Sequence, residues 1–278
     1  MGQPDRDRLT FTVAGSGTVV PESDRVCSGY FLEGRDFRLL LDCGPGVVHH
    51  LARFDLDWSR ITHLALTHFH NDHVGDVSTL LFALKYGLRT PRTEPLTVIG
   101  PAGTAAMFGR LAAALGDHVT EPGFPLRTIE IGDDGAADLA LGAEASIDAI
   151  RTRHTDNSLA YRIGAEDIRV AYTGDTGYDE ESAAFLAGAD VLVMECSLPE
   201  DLAMDSHLTP RRVAAMATIA RPRLLLLTHI YPVLDRERVP DLVRAAGWEG
   251  DIRIAHDGLR LTPTADASPR LDSPDEMS

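Results

Sequence analysis

The sequence predicts a mixed α/β (α+β) fold in a single domain, and three observations support this prediction. Strand-like segments rich in aliphatic and β-branched residues occupy the early part of the chain. Segments with apolar residues at helical spacing lie between later strand-like segments. No linker rich in Pro and Ser divides the 278 residues, so we expect one domain over 9–262, with flexible polar tails at 1–8 and 263–278.

The individual elements follow from local patterns. Short apolar or alternating runs predict strands at 9–13, 29–32, 38–41, 61–67, 146–153, 168–173, 191–194 and 223–228. Helical spacing predicts helices at 76–86, 103–115 and 236–246. A further helix is expected to open at Thr209, with Thr209 as N-cap and Pro210 at the first helical position. The Gly-rich stretch 132–142 predicts an exposed loop or a small hairpin.

A histidine-rich motif follows the predicted strand at 61–67 and carries the strongest functional signal. It reads His-Phe-His-Asn-Asp-His and contains His68, His70, Asp72 and His73. Neutral imidazoles and carboxylates are the ligands that zinc and similar divalent ions take in catalytic sites, so this density predicts a metal centre. Because a turn after a strand can aim alternate side chains at two neighbouring points, we expect two ions.

Three later strands each lead to a further candidate ligand, namely His154, Asp175 in a Gly-Asp-Thr-Gly turn, and His229. The carboxyl ends of strands gather at one edge of a sheet, so these side chains are expected to share a site with the motif. One ion would be held by His68, His70 and His154. The other would be held by Asp72, His73 and His229, and Asp175 would bridge the two ions.

Further motifs occur in a fixed order along the chain. They are Gly15-Ser16-Gly17-Thr18 with Pro21, Arg25 and Ser28, then Leu41-Asp42-Cys43-Gly44-Pro45-Gly46, the segment from His154 to Ile163, Gly174-Asp175-Thr176, and Thr228-His229. Together with the histidine motif, this order resembles the metallo-β-lactamase superfamily and, within it, the ribonuclease Z-like branch. The resemblance extends from Leu9 to about Leu261. It implies a four-layer αββα sandwich, in which two sheets pack face to face with helices outside.

The resemblance also implies catalytic groups beside the ligands. In ribonuclease Z-like enzymes a Glu after a strand and a His before a helix assist phosphate chemistry, and Glu195 and His207 are similar to that pair. His207 is the candidate general acid, and Glu195 would orient it. Asp72 is assigned both to the ligands and to the catalytic set. Asp42 is expected to hydrogen-bond the far nitrogen of a ligand histidine, although a plain turn explains this residue equally well.

The expected cofactor is two Zn²⁺ ions per chain, with Mn²⁺ or Fe at one position left open by the same ligands. A hydroxide bridging the two ions would attack the phosphorus of a small phosphodiester, and His207 would protonate the leaving oxygen. His50 is expected to be structural or solvated, and Asp257 with Gly258 to form a turn.

Composition limits the partners and the location. The net charge of −16 disfavours non-specific binding of long nucleic acids, although arginines could still gather near a cleft. There is no apolar stretch that could span a bilayer and no signal-peptide core, so we expect a cytoplasmic protein with no membrane partner.

Three widely spaced cysteines favour reduced thiols over disulfides. The single lysine, Lys85, among many arginines is typical of a GC-rich bacterial genome. The sequence leaves open whether the protein forms a homodimer. The apolar helix at 78–84 would serve either as an interface or as part of the core.

Two departures from ribonuclease Z weaken the prediction of a tRNA substrate. That enzyme grips tRNA with a long arm between its Tyr-Arg-Ile segment and its Gly-Asp-Thr turn, whereas here only residues 164–167 separate the two strands. Gly75 also stands one residue earlier than that branch leads us to expect. The favoured function is therefore a small-molecule phosphodiesterase, with tRNA 3′-end endoribonuclease second and a lactonase or thioesterase third. A metal-bound sensor module is a fourth alternative, and a flavin-diiron carrier is disfavoured by His70.

Overall fold

The computed structural model describes residues 8–264 and 267–271. The strands are β1 Thr10–Gly15, β2 Gly29–Glu33, β3 Arg38–Leu41, β4 His63–Ala65, β5 Leu96–Pro101, β6 Leu126–Ile131, β7 Ala136–Ala140, β8 Ala145–Arg151, β9 Leu159–Ala165, β10 Ile168–Tyr172, β11 Val191–Glu195, β12 Leu224–Thr228, β13 Asp251–Ile254, β14 Arg260–Thr264 and β15 Ala267–Leu271. The helices are α1 Val47–Arg53, α2 Asn71–Val74, α3 Val77–Tyr86, α4 Thr104–Leu115, α5 Glu180–Phe185, α6 Pro210–Ala220 and α7 Val239–Ala245.

The described strands form two mixed sheets. The first sheet has the order β15-β14-β1-β2-β3-β4-β5-β6, and the second has the order β13-β12-β11-β10-β9-β8-β7. In the first sheet β3, β4, β5 and β6 run parallel, and in the second β10, β11, β12 and β13 run parallel. Each parallel set brings the carboxyl ends of its strands to one edge of its sheet, where the loops that carry the candidate ligands begin.

Three apolar layers hold the sheets and helices together. One layer lies between the sheets and joins side chains such as Phe11 and Leu41 to Tyr161 and Val193. A second lies between the outer face of the second sheet and α5, α6 and α7. A third lies between the outer face of the first sheet and α1, α3 and α4. The predicted αββα sandwich is thus confirmed, because strand residues alternate between the shared core and a helix-covered face.

The predicted elements correspond to observed ones, with local differences. The stretch at 132–142 contains β7, which pairs with β8 as the predicted small hairpin. Thr209 lies at the N-cap of α6, but its side chain makes no capping bond and its buried hydroxyl has no partner among the described residues. The helix expected at 236–246 starts as a short 3-10 turn and continues as α7. On α3, Leu80, Leu81 and Leu84 are buried in the core.

The flexible tail expected at 263–278 includes strand residues in its described part. β14 continues to Thr264, and β15 pairs antiparallel with it. The physical reason is that the outer edge of β14 offers unpaired backbone groups, which a returning chain can satisfy. Residues 1–7, 265–266 and 272–278 lie outside the described residues, so the remainder of the tail prediction stays a prediction.

None of the described helices is long and apolar enough to cross a membrane. The three cysteines carry free thiols.

Candidate functional site

The histidine motif forms the turn between β4 and α2 at the edge where the parallel strands end. His68 and His73 are fully buried, Asp72 is nearly so, and His70 is exposed at the N-cap of α2. The short helix turns the chain back on itself, so that Asp72 and His73 face the same space as His68. The side chains of this one motif therefore face two neighbouring points, as the sequence predicts.

Three groups of potential ligand atoms result among the described residues, and two of them correspond to the groups predicted from the sequence, while the third contains Asp175, His207 and His229. His68, His70, His154 and Asp175 form the first group, with all ligand atoms within 4.8 Å of one another. Asp72, His73 and His229 form the second group under the same limit. In the first group, His154 Nε2 lies 3.0 Å from His70 Nδ1. In the second, His229 Nε2 lies 3.3 Å from Asp72 Oδ2.

Asp175 lies between the two groups. Its Oδ2 is 3.7 Å from His154 Nε2 and 3.6 Å from His229 Nε2, and its Oδ1 is 3.3 Å from His73 Nε2. Burial would raise the pKa of Asp175, but His229 and His73 outweigh it and hold that pKa well below its ordinary value. The preceding Gly174 has φ +57°, and a Cβ there would meet the Thr67 side chain at 2.8 Å. Glycine is therefore required to bring Asp175 this close.

Hydrogen bonds on the outer side of three of the histidine rings fix their orientation. His68 Nδ1 lies 3.0 Å from Thr67 Oγ1, and His154 Nδ1 lies 2.9 Å from the Ser206 carbonyl. His229 Nδ1 lies 3.1 Å from the hydroxyl of Ser197. Each bond leaves Nε2 of the ring facing the centre of the site, as in proteins whose metal-binding histidines are held by outer partners.

Asp42 holds the fourth ring. It adopts φ +56°, and its buried carboxylate accepts a 2.7 Å bond from His73 Nδ1. The same carboxylate accepts from the backbone N–H and hydroxyl of Thr67 and from the Tyr172 hydroxyl at 2.9 Å. The structure thus supports the orienting role expected of Asp42 and adds two partners, Thr67 and Tyr172, that the sequence does not reveal.

The centre of the site fits a cation. Among the described residues, His68 Nε2, His73 Nε2 and Asp175 Oδ1 are buried and form no hydrogen bond of good geometry, although the last two atoms face each other at 3.3 Å. Such buried polar atoms are costly unless another group satisfies them. Burial lowers the pKa of His68 and of His154, so both rings are neutral and able to bind a metal. Burial also lowers the pKa of His73, but the carboxylates of Asp175 and Asp42 outweigh this effect. They raise the pKa of His73 well above its ordinary value. These carboxylates favour positive charge at His73, which a bound cation would supply.

His207 and Glu195 form a pair beside these groups. His207 Nδ1 lies 3.1 Å from Glu195 Oε1, and a ligand atom of His207 falls within 4.8 Å of Asp175 and His229. Glu195 is fully buried and also accepts from the backbone N–H groups of Thr176 and Leu208. Burial lowers the pKa of His207, but the bond to Glu195 outweighs it and raises that pKa to about 9. A protonated imidazole is thus available next to the predicted metal positions.

The structure adds a group that sequence reasoning missed. Ser197 donates to Glu195 and also lies beside His229, so one hydroxyl links the predicted acid pair to a predicted ligand. Tyr231, which the sequence indicates either at the pocket rim or in a plain turn after His229, places its ring edge-on to His229 at 5.6 Å between centroids. Ser197 follows a predicted strand end, which is the only sequence signal that could have identified it.

Asp257 does more than form a turn. Its carboxylate accepts from the backbone N–H of Ser16 at 2.9 Å, from the Ser16 hydroxyl at 2.7 Å and from the backbone N–H of Val26 at 2.7 Å. His50 Nδ1 lies 3.3 Å from the same carboxylate and 2.8 Å from the Ala14 carbonyl. The turn residue therefore clamps the loop that follows β1, and His50 is structural as expected. The Ser16 carbonyl in turn accepts from the backbone N–H of His229.

Comparisons with known proteins identify the family of this chain. The sequence profile of the family described as "Beta-lactamase superfamily domain" matches residues 37–230. The chain is 28% identical over 282 residues to "Ribonuclease Z" of Mycolicibacterium gilvum, covering 91% of this chain and 96% of that protein. It is 27% identical over 257 residues to "Probable metallo-hydrolase YhfI" of Bacillus subtilis, covering 90% and 98%.

Solved structures show the same fold. The crystal structure of the metallo-beta-lactamase fold protein YhfI from Bacillus subtilis superposes with a TM-score of 0.77 at 25% identity, covering 91% of this chain and 98% of that one. Human tRNase Z, short form (ELAC1), superposes with a TM-score of 0.73 at 22% identity, covering 92% and 99%.

Proposed function

This chain belongs to the beta-lactamase superfamily, as a metallo-hydrolase of the ribonuclease Z-like group, and we propose that it is a dinuclear zinc-dependent phosphodiesterase acting on a small substrate. The observation that carries the proposal is the His207–Glu195 pair, because a positioned proton donor serves an alkoxide leaving group. Hydrolysis of a thioester at the same two ions expels a thiolate, which leaves without such a donor, so that reaction gives this pair no obvious task. Hydrolysis of a lactone also expels an alkoxide and is separated from diester cleavage by measured turnover.

Seven side chains would hold the ions. One ion would be held by His68, His70 and His154, the other by Asp72, His73 and His229, with Asp175 shared between them. Zinc fits a set dominated by imidazole and carboxylate, and manganese or iron at one position would use the same groups. When bound, two such ions supply an activated water nucleophile and stabilise the charge that develops on the phosphate.

The protein's own groups prepare this chemistry. Asp42 and Thr67 lock the rings of His73 and His68, so that the ligand atoms converge before substrate binds. His229 lowers the pKa of Asp72 against the opposing effect of burial, so Asp72 is ionised and can accept a hydrogen bond from the attacking water. Asp72 would thus act both as ligand and in catalysis.

His207 would transfer the proton. The Nδ1 atom is bonded to Glu195, so Nε2 is the nitrogen that would protonate the leaving oxygen. Glu195 cannot easily move, because it is fully buried among N–H and O–H donors from Thr176, Leu208 and Ser197. Glu195 therefore orients the ring and stabilises its charged form.

A tRNA 3′-end endoribonuclease is the second candidate. It is favoured by the relative named Ribonuclease Z, of which this chain covers 96%. Against it stands the connection between β9 and β10, which consists of Glu166 and Asp167 and has no room for a tRNA-binding arm. The net charge of −16 also opposes non-specific binding of a long polyanion.

Turnover of three substrate classes tests the proposal. Zinc-loaded and manganese-loaded protein would be assayed with bis(p-nitrophenyl) phosphate, a lactone and a thioester, beside the Asp175→Ala and His207→Ala variants. We expect metal-dependent cleavage of the diester that is lost in Asp175→Ala, whereas His207→Ala should keep most of this rate because p-nitrophenolate leaves without being protonated. Turnover of the lactone or thioester alone, unaffected by His207→Ala, would overturn the phosphodiesterase proposal. Cleavage of precursor tRNA with no activity on small diesters would favour the second candidate.

A further inference from the structure

Tyr231 lies beside both the proposed acid and a predicted ligand. Its ring centroid is 6.2 Å from that of His207 and 5.6 Å from that of His229, and its plane is inclined to theirs by 69° and 78°. The two imidazoles are nearly parallel to each other, with 15° between their planes and 6.0 Å between their centroids. One phenol ring therefore packs across a pair of imidazoles, and the proposed mechanism gives it no task.

The backbone holds this ring in place. The backbone N–H of Tyr231 donates to the Ser197 carbonyl at 3.2 Å, and the Tyr231 carbonyl accepts from the backbone N–H of Leu234 at 2.9 Å. Leu234 is buried, and Pro232 restricts the backbone of the residue before it. The Tyr231 side chain is half-buried, so part of it is open to a bound molecule. A tyrosine fixed in this way offers contact area at a low cost in conformational entropy.

The ring lies on the side of the site from which the leaving group departs. His207 Nδ1 is bonded to Glu195, so the proton for the leaving oxygen comes from Nε2 of the same ring. An oxygen that accepts this proton must come within about 3 Å of Nε2. The organic group attached to that oxygen then lies beside His207, where Tyr231 packs against the same imidazole.

The three loops that meet at this point also carry exposed apolar side chains. The loop after β12, which contains Tyr231, is bonded to the loop after β11 through the Ser197 carbonyl. It is joined to the loop after β1 by the bond from the His229 N–H to the Ser16 carbonyl and by the pair of Arg236 with Glu22. Large apolar residues that are 39–56% exposed lie on these three loops, namely Val19, Val20, Leu202, Met204 and Val233. Exposed apolar residues that gather in one region are typical of a ligand-binding surface.

We propose that Tyr231 is a specificity-determining residue whose ring binds an aromatic part of the leaving group. The inference rests on the proposed function, because the acid role of His207 defines the side on which the leaving group lies. It narrows the substrate to small phosphodiesters whose departing alcohol carries an aromatic ring. Contacts between aromatic rings contribute beyond the apolar area that they bury.

The products of one asymmetric diester test this proposal. Hydrolysis of benzyl methyl phosphate forms one P–O bond from water and breaks one of the two ester P–O bonds, and His207 gives its proton to the departing alkoxide. The products are either benzyl alcohol with methyl phosphate or methanol with benzyl phosphate. The two alcohols are nearly equal in acidity, so the chemistry alone favours neither. Chromatography gives the product ratio, which does not depend on how much of the protein is folded or loaded with zinc.

Zinc-loaded wild-type protein should release more benzyl alcohol than methanol. Tyr231→Ala should reduce this ratio about tenfold, whereas Tyr231→Phe keeps the ring and should retain the ratio. Tyr86→Ala is the matched control and should leave the ratio unchanged, since Tyr86 is exposed at the end of α3. An unchanged ratio in Tyr231→Ala, or an equal loss in Tyr231→Phe, would overturn the proposal.

A saturated ring tests the aromatic character of the contact. Cyclohexylmethyl methyl phosphate has similar bulk to the benzyl diester but no π face. Wild-type protein should favour release of its ring-bearing alcohol over methanol less strongly than it favours release of benzyl alcohol. An equal preference for the two rings would overturn the assignment of an aromatic leaving group.

A binding measurement keeps the proposal testable if no diester is cleaved. Isothermal titration of the zinc-loaded protein with benzyl phosphate, compared with methyl phosphate, requires no turnover. Benzyl phosphate should bind more tightly, and Tyr231→Ala should remove about tenfold of this difference while Tyr86→Ala keeps it. Such a result without any diesterase activity would remove the proposed function and leave the aromatic contact of Tyr231 in place. Equal affinities for the two monoesters in wild-type protein would overturn that contact.

Discussion

Replacing Asp42 by Asn changes the site through hydrogen bonds alone, because the side-chain shape is preserved. In the wild-type protein, Oδ1 accepts from the backbone N–H of Thr67 at 2.8 Å, and Oδ2 accepts from His73 Nδ1 at 2.7 Å. The amide of Asn has only one oxygen. If its NH₂ group faced the backbone N–H of Thr67, two donors that cannot reverse would meet, so we expect the NH₂ group to face His73.

The consequence for His73 is a change of tautomer. Its Nδ1 must become an acceptor, and the hydrogen must move to Nε2, the atom that faces the predicted metal position. Hydroxyl groups adapt more easily, so the bonds from Tyr172 and the Thr67 hydroxyl can rotate. Loss of an outer carboxylate typically weakens metal affinity by about 10- to 100-fold, or about 1.4–2.7 kcal/mol. The lost charged bonds should lower the unfolding free energy of the metal-free protein by about 3 kcal/mol.

Zinc competition with a chromophoric chelator and urea unfolding of the metal-free protein measure the two effects. Asp190→Asn is the matched control, because Asp190 is buried and accepts from the Arg169 backbone N–H at 2.8 Å and from Arg223 at 3.1 Å. The control should lose stability while its zinc affinity changes less than about threefold, since it touches no predicted ligand. If Asp42→Asn binds zinc as tightly as Asp190→Asn does, the tautomer argument is wrong.

Three further outcomes are expected. The pKa of His207 in the folded protein, about 9, exceeds its ordinary value of 6.5. The His207–Glu195 pair therefore stabilises the metal-free fold fully below about pH 6.5, and the unfolding free energy gained relative to His207→Gln should vanish as pH rises through about 9. Asp175→Ala should bind fewer than two zinc ions per chain by elemental analysis, and two tightly held ions would contradict the bridging role. Gly177→Ala should reduce kcat and lower the free energy of unfolding, measured with urea, by about 2 kcal/mol, because the added Cβ would meet the Asp205 backbone carbonyl. An unchanged unfolding free energy would contradict this packing.

Much of the candidate site could be predicted because its signals are local. A ligand that directly follows a buried strand, such as His229 after β12, must lie at the carboxyl edge of a sheet. The division of the ligands into two groups, around His68 and around His73, could also be predicted. The spacing within one short motif limits where each side chain can point. The pair of Glu195 and His207 came from family resemblance, and the structure brings the two within hydrogen-bonding distance.

The missed features depend on contacts between distant parts of the chain. Asp257 and Ser16 are 241 residues apart, and no local pattern shows that a turn carboxylate clamps the loop after β1. At Thr209 the local rule gave the correct helix start but the wrong side-chain bond, because the hydroxyl is buried without a described partner.

The dependence of kcat on the leaving group tests the central claim most directly. A series of phosphodiesters with leaving groups from p-nitrophenol to a simple alkanol would be cleaved by zinc-loaded wild-type protein and by His207→Ala. If His207 protonates the leaving oxygen, the wild-type rate should vary little along the series, whereas the variant should keep most of its rate with p-nitrophenol and lose about 100-fold or more with the alkanol. An equal loss across the whole series would show that His207 does not act as the acid.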